Sequence, residues 1–114
     1  MAYLVRLTEP FEADIVRLFD WLFGFNAVAA FRFRDAVEAA TASLSEFPNS
    51  YPVVEETSLY KRTVRRKLFK SGSTTYRLLF TVYEAGQLIP ESVPQVHCLR
   101  VLHGAARPIL ESDQ

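Results

Sequence analysis

The chain has 114 residues, of which 49% are hydrophobic, and its 13 basic and 13 acidic residues cancel to a formal net charge of zero. This length predicts a single domain, residues 1–114, with enough apolar side chains for a buried core. The balanced charge excludes any argument for nucleic-acid binding from bulk electrostatics. Such an argument has to depend on where the charges lie.

Several classes of protein are excluded by what the sequence lacks. The one cysteine, Cys98, cannot form an internal disulfide, and with no signal peptide this predicts a reduced, cytoplasmic setting. No apolar run approaches the roughly 20 residues of a membrane span, so we expect no membrane association. The histidines and the cysteine show no metal-ligand spacing, and no phosphate-binding glycine loop is present. We therefore expect neither a metal nor another cofactor.

The N-terminal half predicts a short strand followed by two helices. Residues 3–7 alternate in polarity as a strand does, and Pro10 suits the first turn of a helix that begins at Thr8 or Glu9 and ends at Gly24. Asn26 is placed to cap a second helix, which Pro48 ends. Apolar residues recur at helical spacing in both helices: Phe11, Ile15, Leu18 and Leu22 in the first, and Phe33, Val37, Ala40, Leu44 and Phe47 in the second. The short link predicts an antiparallel hairpin.

The C-terminal half predicts three strands. Residues 63–69 and 75–83 are strand-like and flank a turn at residues 70–73, and residues 96–102 form a last, strongly apolar strand. The order is therefore β-α-α-β-β-β. We expect an α+β fold in which the helical hairpin packs on one face of a small antiparallel or mixed sheet, with strands one and four adjacent.

Charge is segregated along the chain although its sum is zero. Residues 57–83 hold seven basic residues and no acidic one, whereas residues 9–46, the two helices, hold seven of the 13 acids. Alternation predicts that Arg65 and Lys67 share one face of their strand and that Arg66 lies on the other. The basic run is either a solvated sheet face or a patch for phosphates or an acidic partner, and the absence of acids favours the patch.

Basic residues also stand inside the two most apolar strands. Arg77 and Arg100 lie mid-strand and His103 closes the last strand, so the three are predicted to converge at one end of the sheet. A charge in such surroundings costs free energy unless it is paired or used. Arg100 is either a functional residue or a structural one that pairs with a helical acid such as Glu38 or Asp35. His103 is either a hydrogen-bonded strand end or part of a site.

These residues carry a resemblance to a known group of proteins. The element order, the strand around Tyr76-Arg77-Leu78-Leu79-Phe80 and the ending Arg100-Val101-Leu102-His103-Gly104 resemble the RelE/ParE superfamily, the toxins of type II toxin–antitoxin systems. The resemblance covers residues 3–109. It implies a cytoplasmic bacterial growth inhibitor that a cognate antitoxin holds silent in a hetero-oligomer.

Members of this superfamily differ in their target. RelE-like members cut mRNA on the ribosome, and ParE-like members inhibit DNA gyrase. Arg77 matches the basic residue of the third strand in the nucleases, and His103 matches a histidine found in some of them. No tyrosine follows Tyr83, however, and the net charge is low for a protein that docks on ribosomal RNA. We therefore favour gyrase inhibition. The alternatives are an mRNA endonuclease and an inactive homologue that only binds its antitoxin.

The resemblance and the charge pattern together predict the functional residues. Arg77 and His103 are the catalytic residues only if the protein is a nuclease. The predicted surface for the target or partner consists of Arg62, Arg65, Lys67, Arg77, Arg100 and Arg107. We expect an antitoxin segment to lie over the basic sheet near Arg65, Lys67 and Arg77.

Overall fold

Two helices cover one face of a four-stranded sheet in the computed structural model, which describes residues 2–104. The predicted order β-α-α-β-β-β and the α+β class are confirmed. The structure adds a turn of 3₁₀ helix, Pro48–Ser50, and a short third helix that the sequence did not predict. The elements are β1 (Leu4–Leu7), α1 (Glu9–Phe23), α2 (Ala27–Ser43), α3 (Thr57–Tyr60), β2 (Arg65–Ser71), β3 (Thr74–Tyr83) and β4 (Gln95–His103).

The sheet is mixed, with the strand order β1-β4-β3-β2. The first and last strands are adjacent, as predicted, and run parallel, whereas β4 pairs with β3 and β3 pairs with β2 in antiparallel fashion. The register between β3 and β4 shifts between Leu79 and Phe80. Because β1 pairs only as far as Leu7 opposite Cys98, the second half of β4 has an edge without a neighbouring strand.

The start of α1 is fastened to β4 by the residue before it. The Thr8 side chain makes no capping bond to the helix. Its hydroxyl instead donates to the carbonyl of Cys98 at 2.8 Å. Phe11 is fully buried, and Ile15 and Leu18 pack against the core from the same side of the helix. The predicted apolar stripe therefore holds α1 on the sheet.

The second helix begins as predicted but ends earlier. The Asn26 side chain accepts hydrogen bonds from the backbone N–H groups of Val28 and Ala29, and Phe33 is fully buried. The predicted stripe is wrong at Phe47, which is 77% exposed with a φ of 50°. Pro48 supplies no N–H, and its ring disfavours helical geometry in the residue before it, so the helix cannot continue through Phe47; it ends at Ser43.

The central strand β3 is buried on both faces. Tyr76, Leu78 and Phe80 join the core beneath the helices. Arg77 and Thr81 point to the other face and are also buried, because residues 53–63 cross it and form hydrogen bonds to both side chains. Burial on both faces explains why this strand is a nearly continuous apolar run.

The end of β4 requires a residue without a side chain. The Gly104 N–H donates to the carbonyl of Thr75 at 2.7 Å. A Cβ atom at Gly104 would lie 2.7 Å from the same carbonyl oxygen, which is closer than real Cβ contacts. The glycine of the His103-Gly104 pair therefore serves this close backbone approach.

Candidate functional site: the basic residues of the sheet

Arg77 is covered by the segment that precedes β2. Its Nη1 lies 3.4 Å from Oε2 of Glu56, and the two side chains are only 10% and 1% exposed. Glu56 is held there by the turn into α3, where the Val64 N–H donates to the hydroxyl of Thr57 at 2.9 Å. Arg77, which the sequence analysis placed on a possible active surface, is therefore one partner of a buried ion pair.

Arg100, whose side chain is 22% exposed, forms a second ion pair, with the buried carboxylate of Asp14 in α1. Its Nε donates to Oδ2 at 2.6 Å and its Nη2 to Oδ1 at 2.9 Å. Arg100 thus forms the kind of ion pair expected of the structural alternative, but with Asp14, and the suggested partners Glu38 and Asp35 were wrong. Asp14 also accepts from the backbone N–H of Val101 at 3.1 Å, a group left without a strand partner where β1 ends.

The sequence carried a signal for Asp14 that the prediction missed. Asp14 lies three residues after Phe11 and four before Leu18, which is the spacing of the buried stripe of α1. An acid inside such a stripe needs a partner. The hydrogen bonds that Arg100 donates to Asp14 raise the pKa of Arg100, and burial raises the pKa of the neighbouring Tyr60 hydroxyl.

Arg65 and Lys67 project to the helical side of the sheet, and Arg66 to the other, as predicted. Arg65 and Lys67 are both half-buried, and each forms hydrogen bonds within the protein. Arg65 Nη1 donates to the carbonyl of Tyr51 at 2.7 Å, and Lys67 Nζ donates to the Ser43 hydroxyl at 2.6 Å. They therefore brace the end of α2 and the loop after it.

Only part of the expected convergence of Arg77, Arg100 and His103 occurs. Arg100 stands opposite Leu79, two residues from Arg77, so these two arginines project from the same face of the sheet. Arg77 stands opposite Leu68 and lies on the face away from Arg65 and Lys67, so these three do not form one surface. His103 stands opposite Tyr76, and their rings make an edge contact at 5.9 Å. His103 is thus on the helical side, whereas Arg77 is on the other. Arg107 lies outside the described residues.

At the end of the sheet where β1, β4 and β3 lie side by side, basic and aromatic side chains come together that the sequence analysis did not place next to each other. The Arg62 guanidinium lies 3.8 Å from the centre of the Tyr83 ring, and Tyr83 lies 4.7 Å from the His97 ring. His97 Nε2 is 2.9 Å from Oε1 of Gln95. Burial lowers the pKa of His97, and the positive charges of Arg6 and Arg62 lower it further.

Cys98 is a core residue. It is fully buried, and burial raises the pKa of its thiol to about 12, which makes it a poor nucleophile. Residues 2–104 contain no group of three histidine, cysteine or acidic side chains arranged to hold a metal ion. In the same part of the chain, no helix has the length and hydrophobicity to cross a membrane.

Comparison with known families decides the affiliation. A sequence profile described as the ParE toxin of the type II toxin–antitoxin system parDE matches residues 5–108. The chain belongs to the ParE toxin family. Comparison with curated proteins gave no match. Membership confirms the resemblance to the RelE/ParE superfamily and implies an antitoxin partner for this ParE-family toxin.

Proposed function

We propose that this ParE-family toxin inhibits growth by binding DNA gyrase and not by cleaving mRNA. The observation that carries the proposal is the burial of Arg77, which is 8% exposed and paired with Glu56. It is the residue that matches the nuclease cation. Residues 53–63 lie over it, and the cavity that it lines also contains its partner Glu56, whose carboxylate competes with a phosphate for the guanidinium.

RNA cleavage by attack of a 2′-hydroxyl needs a base, an acid and a cation gathered around one phosphate. Arg77 and His103, the two residues that match the nucleases, lie on opposite faces of the sheet. The Glu56 carboxylate also neutralises the positive charge of Arg77. No tyrosine follows Tyr83 in the sequence to replace the missing group. This arrangement supports a toxin that acts by binding.

The exposed surface supports a function that depends on binding to other proteins. Large apolar side chains cluster around the turn between α1 and α2, which we call the hairpin tip: Trp21, Phe23, Phe25, Val28 and Phe31, all between 43% and 75% exposed. Rings in this group contact each other, with Trp21 and Phe25 at 4.9 Å. Contiguous apolar surface of this kind is typical of an interaction site. We propose that the antitoxin covers it.

Two assays with purified toxin test the proposed target. We expect inhibition of DNA supercoiling by gyrase, relieved when the antitoxin is added, and no effect on protein synthesis in a translation extract. Inhibition of translation with cleaved mRNA would instead support the nuclease alternative. A folded toxin that is inert in both assays but binds its antitoxin would support the inactive homologue.

A variant that replaces the buried pair separates structure from catalysis. Arg77→Met with Glu56→Leu removes both charges together, and such replacements of buried pairs are often tolerated. We expect this variant to fold and to inhibit gyrase as the natural protein does. Arg77→Ala alone leaves Glu56 as a buried, less compensated charge, which we expect to cost about 3–5 kcal/mol of stability. A folded double variant that has lost toxicity would overturn the assignment of Arg77 as structural.

A further inference from the structure

We propose that the sheet face around Arg6, Arg62, Tyr83 and His97 binds an acidic segment of a protein partner. We call these four residues the arginine–aromatic surface. It lies on the face of the sheet away from α1 and α2, at the end where β1, β4 and β3 lie side by side. The inference goes beyond the proposed function, since it holds whichever target the toxin has.

The register places the four side chains together. Arg6 of β1 and Thr81 of β3 both stand directly opposite His97 of β4, and residues that pair across a sheet project to the same side. Tyr83 follows Thr81 by two residues and so shares that side. Arg62 lies over its ring at 3.8 Å. The two arginines therefore flank the histidine and the tyrosine from opposite sides.

In the described part of the chain, Arg6 and Arg62 lack the carboxylate partners that Arg77 and Arg100 have. In residues 2–104, the acids that form ion pairs are Asp14 and Glu56, and their partners are Arg17, Arg77 and Arg100. The nearest acid in sequence to Tyr83 is Glu84, whose carboxylate accepts hydrogen bonds from Tyr3 and Asn49. The arginine–aromatic surface thus carries exposed positive charge that an incoming carboxylate can compensate.

The geometry of the rings selects the class of partner. Single-stranded nucleic acids are held by aromatic rings whose faces are open for base stacking. Arg62 lies over one face of the Tyr83 ring at 3.8 Å, so a base cannot stack on that face, and the His97 ring lies 4.7 Å from Tyr83 at a tilt of 51°. Arg62 is also held in place, because its Nη2 donates to the Val82 carbonyl at 3.3 Å. A guanidinium fixed in this way suits the binding of a carboxylate.

His97 offers a direct measurement of such binding. The charges of Arg6 and Arg62 contribute to its lowered pKa, so a bound carboxylate that offsets them raises that pKa. The sequence contains only two histidines, and His103, on the other side of the sheet, serves as the internal reference. An NMR titration of both imidazoles, with and without hexaglutamate at low salt, therefore reports the site and the binding together.

We expect hexaglutamate to raise the pKa of His97 and to leave the NMR signals of the His103 ring in place. Arg6→Gln with Arg62→Gln should weaken hexaglutamate binding about tenfold or more, and Arg6→Lys with Arg62→Lys should largely retain it. The matched control is Arg32→Gln with Arg34→Gln, which removes the same charge from the exposed side of α2 and should leave binding unchanged.

Two results would overturn the proposal. One is a His97 titration that hexaglutamate does not move, or that moves equally in the Arg6, Arg62 double variant. The other is a six-residue thymidine oligonucleotide that binds the same residues as tightly as hexaglutamate does, since that would make the surface a nucleic-acid site. Circular dichroism of the variants confirms that a loss of binding is not a loss of fold.

Discussion

At the scale of the residue, Asp14 joins parts of the chain that are far apart in sequence. It accepts hydrogen bonds from Arg17, Arg100 and the Val101 backbone while only 4% exposed. A buried carboxylate satisfied in this way holds α1 against β4 at the point where β1 has ended. Its energetic importance lies in what is left unpaired when one partner is removed.

We therefore predict that Asp14→Ala and Arg100→Ala each destabilise the fold by about 3 kcal/mol. The first leaves the guanidinium and the Val101 N–H without their acceptor, and the second leaves a buried carboxylate with less compensation. Thermal unfolding followed by circular dichroism measures the effect as a fall in melting temperature of about 10 °C or more.

The control for this prediction is the exposed partner of the same carboxylate. Arg17 also bonds to Asp14, but its side chain is 58% exposed. Arg17→Ala is expected to cost less than about 1 kcal/mol, as exposed ion pairs do. Equal melting temperatures for the Arg17 and Arg100 variants would show that burial does not distinguish the two contacts.

At the scale of the element, α2 depends on its first and last turns. Its N-terminus is capped by Asn26, which accepts from the Val28 N–H at 2.9 Å and the Ala29 N–H at 3.3 Å. Its C-terminus is at Ser43, and Pro48 prevents the helix from continuing through Phe47. Local sequence therefore limits the helix at both ends, whereas packing on the sheet determines which face of α2 is buried.

We predict that Asn26→Ala lowers the free energy of unfolding by about 1 kcal/mol. The reason is that two backbone N–H groups lose their acceptor at a position where water replaces it only in part. Asn26→Asp keeps the acceptor and should stay close to the natural stability. Denaturant unfolding of the three proteins tests this, and an alanine variant as stable as the aspartate variant would contradict it.

At the scale of the whole molecule, the exposed apolar residues and the basic residues lie at different places. The hairpin tip lies at the N-terminal end of α2. Arg65 and Lys67 form hydrogen bonds with residues at and beyond the C-terminal end of α2. An antitoxin that binds through apolar anchors would contact the hairpin tip. An antitoxin that binds through acidic side chains would contact Arg65 and Lys67 at the C-terminal end of α2, as the sequence analysis predicted.

We predict that Trp21→Ala with Phe25→Ala weakens the toxin–antitoxin complex by about 2 kcal/mol or more, since buried aromatic anchors dominate such interfaces. Arg65→Glu with Lys67→Glu should have the smaller effect, because both cations are half-buried and already bonded within the toxin. Calorimetric titration of each variant with the antitoxin measures the two changes. A larger loss from the charge reversals would place the antitoxin on the basic side of the sheet.

The sequence by itself determined the element order, the α+β class and the superfamily, because these depend on local periodicity, on caps such as Asn26 and on the motif that ends in Gly104. It also predicted correctly that Arg65 and Lys67 share a face, since alternation along a strand is a local property. The pairing of strands one and four followed from topology alone.

Only the tertiary structure decided which charges meet. Asp14 and Arg100 are 86 residues apart in sequence. No local sequence pattern predicts that β1 ends early enough for the Val101 N–H to donate to a carboxylate. Likewise, Arg77 and His103 fall on opposite faces because of the register between β3 and β4, and Glu56 reaches Arg77 only through the unpredicted turn into α3. The basic residues of the sheet therefore have three different roles: Arg77 and Arg100 pair with buried carboxylates, Arg65 and Lys67 brace the end of α2, and Arg6 and Arg62 belong to the exposed arginine–aromatic surface. The reason is that burial allows a charge only where a partner is within reach.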